Sequence, residues 1–137
     1  MSERRPPRSL LNPFDHEFWE WCGKGELRLQ RCQDCGHIPW PVVQACEKCG
    51  SEKLEFEAMS GRGKLASWCS FERDYYGGVL PMPWDTIVVE LEEGPFFLSN
   101  PNGFRISEAR HGMEVKVDFI DCEDDKGAFK LPVFGRT

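Results

Sequence analysis

The sequence has no apolar run approaching the ~18–20 residues that a membrane-spanning helix needs, so no span is expected. It holds neither a G-x-x-x-x-G-K-[ST] phosphate loop nor a G-x-G-x-x-G turn, which removes the common nucleotide-binding signatures. Basic charge is also short: 17 Lys and Arg stand against 23 Asp and Glu, for a net charge of −6. That balance works against a groove for single-stranded nucleic acid, which needs a basic track. The segment Met1–Arg8 carries Arg4, Arg5 and Arg8 but no apolar core follows it, so it reads as a solvated leader and not as a secretory signal. A basic arm for nucleic acid or a CoA phosphate is the sharper alternative. With no export signal and many thiols, a reducing, cytoplasmic setting is expected. Helical periodicity is scarce, and no internal repeat occurs beyond one short motif.

That motif is the strongest signal in the chain. Cys32-Gln33-Asp34-Cys35-Gly36 and Cys46-Glu47-Lys48-Cys49-Gly50 are two C-x₂-C-G knuckles separated by ten residues. Two residues between thiols let both sulfurs turn toward one ion. The glycine supplies the positive φ that lets amides approach the sulfurs. Four thiolates make a closed tetrahedral cage, the geometry of a structural Zn²⁺ site with no position left for water. Iron in the same cage is the rival. Paired disulfides are the other reading, but tandem C-x₂-C disulfides are redox devices and lack that context here. Cys22, Cys69 and Cys122 read as small buried hydrophobes.

Along the chain, Asn12-Pro13 reads as a helix start, and Phe14, Phe18, Trp21 and Cys22 form one apolar stripe ended by Gly23 and Gly25. The alternating segments 27–31 and 54–58, with Ile38–Val43 between the knuckles, predict three ribbon strands. After Ser60-Gly61-Arg62-Gly63, strands are expected at 65–73, 84–92, 95–99, 115–119 and 128–134. Turns are expected at Glu93-Gly94 and Asp125-Lys126-Gly127. Five strands with glycine-rich turns suggest a small closed barrel of the OB type. The expected class is mainly β: a leader and helix over 1–26, a Cys₄ zinc ribbon over 27–59 and an OB barrel over 60–137.

This order of parts resembles the DUF35 family. The resemblance rests on Phe18-Trp19-Glu20, Gly25-Glu26-Leu27, Gln30-Arg31-Cys32-x-x-Cys35-Gly36, Cys46-x-x-Cys49-Gly50, Ser60-Gly61-Arg62-Gly63, Val89-Glu90-Leu91-x-x-Gly94-Pro95 and His111-Gly112-Met113-x-Val115. Together these span nearly the whole chain. The ribbon tip, Pro39-Trp40-Pro41, and the short loop before His111 are this chain's own variations. Membership implies a zinc-bearing, non-catalytic subunit of a thiolase-like acyl-CoA enzyme. Partners in the family include acetyl-CoA acyltransferases, hydroxymethylglutaryl-CoA synthases and thiolase-like aldolases acting on steroid side chains, and some members are fused to MaoC-like hydratases.

No catalytic set emerges from the residues. Cys69, Cys122, His37 and His111 occur singly, without the oriented base that nucleophilic catalysis requires. His37 is either a donor to a ligand sulfur or a solvent-facing knuckle residue. The acidic run 121–125 lacks calcium-loop spacing and reads as a hairpin tip. Candidate contacts remain. Arg28, Arg31, Arg62 and Lys64 suit the phosphates of CoA, with ordinary surface charge as the plainer reading. The aromatic loop with Tyr75, Tyr76 and Trp84, together with Trp40, suits a partner surface or a lid, or packing across the barrel mouth. The competing functions are an accessory subunit, a free-standing acyl-CoA binder and, disfavoured by charge, a nucleic-acid binder.

Overall fold

A computed structural model describes residues 15–73, 84–124 and 127–137. The expected helix start at Asn12-Pro13, Phe14, the leader arginines, Tyr75 and Tyr76, and Asp125-Lys126 lie outside those residues. The order of elements is α1 (His16–Gly23), β1 (Arg28–Cys32), β2 (Leu54–Ala58), β3 (Arg62–Phe71), β4 (Trp84–Leu91), β5 (Phe96–Ser99), β6 (Pro101–Asn102), a 3-10 turn (Ile106–Glu108), β7 (Glu114–Asp124) and β8 (Gly127–Arg136). The fold is mainly β, with one short helix, a ribbon and a barrel.

Helix α1 begins with Asp15 at its N-cap position, without a side-chain cap bond. It ends in a Schellman closure: Glu26 N–H donates to Trp21 C=O and Gly25 N–H to Cys22 C=O, at 3.0 and 2.9 Å. Phe18 and Cys22 are buried, as the stripe requires. Trp21 is only half-buried. Its indole N–H donates to Glu17, and its ring lies beneath the Arg28 guanidinium at 3.8 Å.

The ribbon has two strands, not three. β1 and β2 pair antiparallel from Arg28↔Ala58 to Cys32↔Leu54. The expected middle strand at 38–43 is irregular. Pro39 and Pro41 have no N–H to give to a ladder. The Gln30 side chain takes the place of a third strand. Its Nε2 donates to Val43 C=O at 2.9 Å and its Oε1 accepts from Val43 N–H at 3.0 Å.

The barrel ladder runs β5-β4-β3-β7-β8-β6. Ile87, Val89 and Leu91 alternate inward along β4, and Phe97 and Val115 join them in the core. β3 pairs with β4 along its length and with β7 through Arg62–Lys64, and a register shift between Leu65 and Ser67 bends it between the two. Gly63 lies where the strands approach most closely, since a Cβ there would stand 2.6 Å from the Glu90 carbonyl oxygen. The five expected strands become six segments because a short strand that was not expected, β6, follows the 95–99 run beyond Asn100. β5 serves β4, and β6 pairs in parallel with β8. The ladder is therefore not continuously closed, a correction to the closed barrel expected, and it matches the partly open Greek-key barrel of an OB-fold. At the break, Asn100 C=O accepts from Phe134 N–H at 3.1 Å and Ser99 Oγ donates to Pro132 C=O at 2.9 Å.

An aromatic stack joins helix, ribbon and barrel. Trp40 at the ribbon tip sits 4.9 Å from Phe18 and 4.7 Å from Phe97, and Phe97 sits 5.9 Å from Phe134. Such pairs contribute about 0.5–1.5 kcal/mol each beyond area burial.

Candidate metal centre

The two knuckles repeat one backbone pattern. Cys32 N–H donates to His37 C=O, and Gly36 N–H to Cys32 C=O. In the second knuckle Cys46 N–H donates to Ser51 C=O, and Gly50 N–H to Cys46 C=O. All four bonds are 2.8 Å. Gly36 and Gly50 have φ of 80° and 77°, which a residue with a Cβ rarely adopts.

This pattern brings the four Sγ atoms within 4.8 Å of one another. Cys32 Sγ lies 3.5 Å from Cys49 Sγ, and Cys35 Sγ lies 3.6 Å from Cys46 Sγ. Disulfide sulfurs stand only about 2.05 Å apart, so these are thiols. Four sulfurs about 2.3 Å from one ion stand roughly 3.8 Å apart, and the observed spacing fits that cage. The donor set is that of a closed structural metal site.

The electrostatics call for a cation. The amides of Cys35 and then Asp34 point at Cys32 Sγ and hold its thiol down at about 6, against burial. At Cys49 the Ser51 amide favours the thiolate, but the neighbouring Cys32 sulfur and burial outweigh it and push the thiol up to about 12. One thiolate forms readily and the last resists, as crowded like charges must. A dication reverses that resistance.

Polar groups brace the cage. Arg31 donates to Glu57 at 2.6 Å and to Gly36 C=O at 3.1 Å, tying the first knuckle to β2. His37 Nε2 pairs with Glu47 at 2.9 Å, joining the two knuckles side chain to side chain. Ser51 Oγ donates to Asp34.

The four cysteines are brought together, and the candidate contacts are dispersed. Arg28 and Arg31 each hold a carboxylate, Glu26 and Glu57. Arg62 and Lys64 are exposed on β3 and line an open basin of about 890 Å³ with Lys116, Glu90, Glu92 and Glu114. Trp84 is buried at the start of β4 opposite Phe71, and Trp40 belongs to the aromatic stack. Tyr75 and Tyr76 lie outside the described residues. Cys22 and Cys122 are buried as expected, whereas Cys69 is exposed, because it faces outward beside Thr86. The described histidines are engaged or exposed: His16 pairs with Glu20, His37, beside the cage, pairs with Glu47, and His111 is exposed. Asp121 on the acidic run pairs with Lys130 across β7 and β8.

The sequence reading missed one buried site. Asp85 accepts from Arg105 Nε at 2.6 Å, Ser70 Oγ at 2.9 Å and Ile106 N–H at 3.4 Å. Burial alone would raise its carboxyl, but Arg105, Ser70 and the Ile106 amide hold it below its ordinary value. A lone aspartate at a strand start gives no signal of a partner twenty residues away.

Comparisons with known proteins agree with this architecture. Residues 19–55 match the rubredoxin-like zinc ribbon domain of ChsH2, and residues 56–119 match its C-terminal OB-fold domain. A DUF35 domain-containing scaffold protein of Pyrococcus furiosus is 32% identical over 87 residues, covering 64% of this chain and 63% of that protein. The benzoylsuccinyl-CoA thiolase subunit BbsA of Thauera aromatica is 25% identical over 112 residues, covering 77% of this chain and 71% of BbsA. Among solved structures, a chain of the Ltp2-ChsH2(DUF35) aldolase superposes with a TM-score of 0.78 at 26% identity, covering 96% of this chain and 98% of that one. The chain spans less than two thirds of several curated relatives. It covers 42% of an enoyl-CoA hydratase alpha subunit of Thermomonospora curvata and 37% of a pregnadiene-carboxyl-CoA hydratase alpha subunit of Mycobacterium tuberculosis.

Proposed function

Because the chain belongs to the DUF35 family of zinc-ribbon and OB-fold proteins, we propose that it is the non-catalytic accessory subunit of a thiolase-like acyl-CoA enzyme. The observation that carries this reading is the near end-to-end superposition on a DUF35 chain of an aldolase whose name couples it to Ltp2. BbsA, named as a thiolase subunit, supports the same class of partner. Acyltransferase, synthase and steroid side-chain aldolase chemistry all remain open to the partner.

In this reading Cys32, Cys35, Cys46 and Cys49 hold Zn²⁺, which fixes the ribbon and takes no part in turnover. Zinc is favoured over iron because nothing else in the chain suits electron transfer. A colourless protein with one zinc per chain supports this, and a coloured, iron-loaded one overturns it. Of the four candidate cations, Arg62 and Lys64 are the two exposed ones that would meet an acyl-CoA phosphate or a partner carboxylate, since Arg28 and Arg31 already hold glutamates. Trp40 and Trp84 act from within the packing, by shaping the surface that the partner meets. The cytoplasm is the compartment that keeps such thiols reduced.

The test is co-expression with a thiolase-fold candidate subunit. Stable co-purification is expected, with partner activity falling when this chain is withdrawn. Turnover of an acyl thioester by the isolated chain would overturn the division of labour. Micromolar binding of acetyl-CoA by the isolated chain would favour the second reading, a free-standing acyl-CoA binder.

A further inference from the structure

The four sulfurs are not equally protected. Cys32 and Cys46 are 1% and 3% exposed, whereas Cys35 and Cys49 are exposed. Both exposed residues line a groove of about 510 Å³ between the knuckles and the β4–β5 turn, walled by His37, Lys48, Glu93 and Pro95. The repeated knuckle turn buries the first sulfur of each pair and turns the second toward the groove. Each exposed sulfur also stands against a buried one of the other knuckle: Cys49 is 3.5 Å from Cys32, and Cys35 is 3.6 Å from Cys46.

We propose that Cys35 and Cys49 form a peroxide modification site, through which hydrogen peroxide converts the cage into cross-knuckle disulfides and expels the divalent ion. The Cys49 thiolate attacks one peroxide oxygen. An S–O bond forms as the O–O bond breaks, and the departing hydroxide takes up a proton to leave as water. The Cys32 thiolate then attacks the sulfenic sulfur. The S–S bond forms, the S–O bond breaks, and a second water leaves. Two electrons pass from two thiolates to one peroxide, and the ion, left with two of its four thiolates, departs as the dication. A second peroxide repeats the sequence at Cys35 and Cys46. Thiol reduction followed by divalent ion restores the cage. This goes beyond the accessory role and holds whether or not a thiolase-like partner exists.

Cys69 makes the test decisive, because it is an exposed thiol on β3 outside the cage. The full chain, loaded with zinc, is treated with hydrogen peroxide. Zinc release is followed with a chromogenic chelator, and each cysteine is mapped by mass spectrometry. The expected result is one zinc released per chain before Cys69 is fully oxidised, with Cys32–Cys49 and Cys35–Cys46 disulfides. Dithiothreitol and zinc should then return the starting species. The Cys69→Ser chain should release zinc at the same rate, within about twofold. Zinc retained after Cys69 is consumed, disulfides confined to Cys32–Cys35 and Cys46–Cys49, or release that is lost in Cys69→Ser would each overturn the proposal.

Discussion

At the scale of the residue, Asp85 shows how one buried charge is made tolerable. Its side chain is 7% exposed, whereas its partner Arg105 is 60% exposed. A buried carboxylate stays ionised only if its lone pairs are met, and here a guanidinium, a hydroxyl and an amide meet them. The exposure difference predicts an asymmetry between variants. Arg105→Ala strands a buried charge and should cost about 2–3 kcal/mol. Asp85→Ala leaves a guanidinium already in water and should cost less, about 1–2 kcal/mol. Urea denaturation at pH 7 measures both, and the reverse order would refute the account. The pH dependence follows from the lowered carboxyl. Its stabilisation is present above the unfolded value near 4 and is lost as pH falls through the lower folded value. The gap between the wild type and Asp85→Ala should therefore narrow below about pH 4. Comparing the two chains at each pH cancels acid release of the metal, which both share.

At the scale of the element, the ribbon shows where local pattern and final structure part. The C-x₂-C-G spacing is legible because the chemistry of four sulfurs around one ion dictates it. The barrel strands are legible because Ile87, Val89 and Leu91, and then Val115, Val117 and Phe119, alternate on a half-buried surface. Gln30 is not legible. In Leu27-Arg28-Leu29-Gln30-Arg31 it takes a polar position that alternation assigns to solvent, yet both faces of β1 are covered and it is buried. Its amide stands in for the strand that Pro39 and Pro41 prevent. The two-residue β6 is equally silent in the sequence, since Asn100-Pro101-Asn102-Gly103 has the composition of a turn and not of a strand. The role of Gln30 has a direct test. Gln30→Leu keeps the volume but leaves the Val43 N–H and C=O without partners, which should cost about 1–3 kcal/mol. Because Val43 lies just before the second knuckle, zinc should also leave faster to a competing chelator. Gln30→Glu keeps the acceptor but sets a carboxylate oxygen against the Val43 carbonyl in a buried site, and should cost at least as much at pH 7. Unchanged metal release in Gln30→Leu would show that the loop is held by other contacts.

At the scale of the whole molecule, the question is how far a metal at one end governs a barrel at the other. Structural zinc contributes about 10–16 kcal/mol in small peptides, comparable to the roughly 5–15 kcal/mol stability of a whole domain. The ribbon has only two short strands, so it depends on that contribution. The barrel has its own apolar interior, centred on Leu65, Ile87, Val89, Val115 and Phe134. The two communicate through Trp40, which packs on Phe18 and Phe97. If that stack carries the coupling, chelation of zinc from the wild-type chain should disturb the aromatic environment of the barrel as well as the ribbon. Near-ultraviolet circular dichroism reads the first, and proteolysis between the knuckles reads the second. Trp40→Ala should cost about 2 kcal/mol, below the roughly 3–5 kcal/mol of a fully buried tryptophan, because Trp40 is half-buried. More tellingly, it should split one thermal transition into two that no longer coincide between near- and far-ultraviolet signals. Coincident transitions in Trp40→Ala, with a barrel still disturbed by chelation, would place the coupling elsewhere, in the Leu27–Met59 pairing where the ribbon passes into β3.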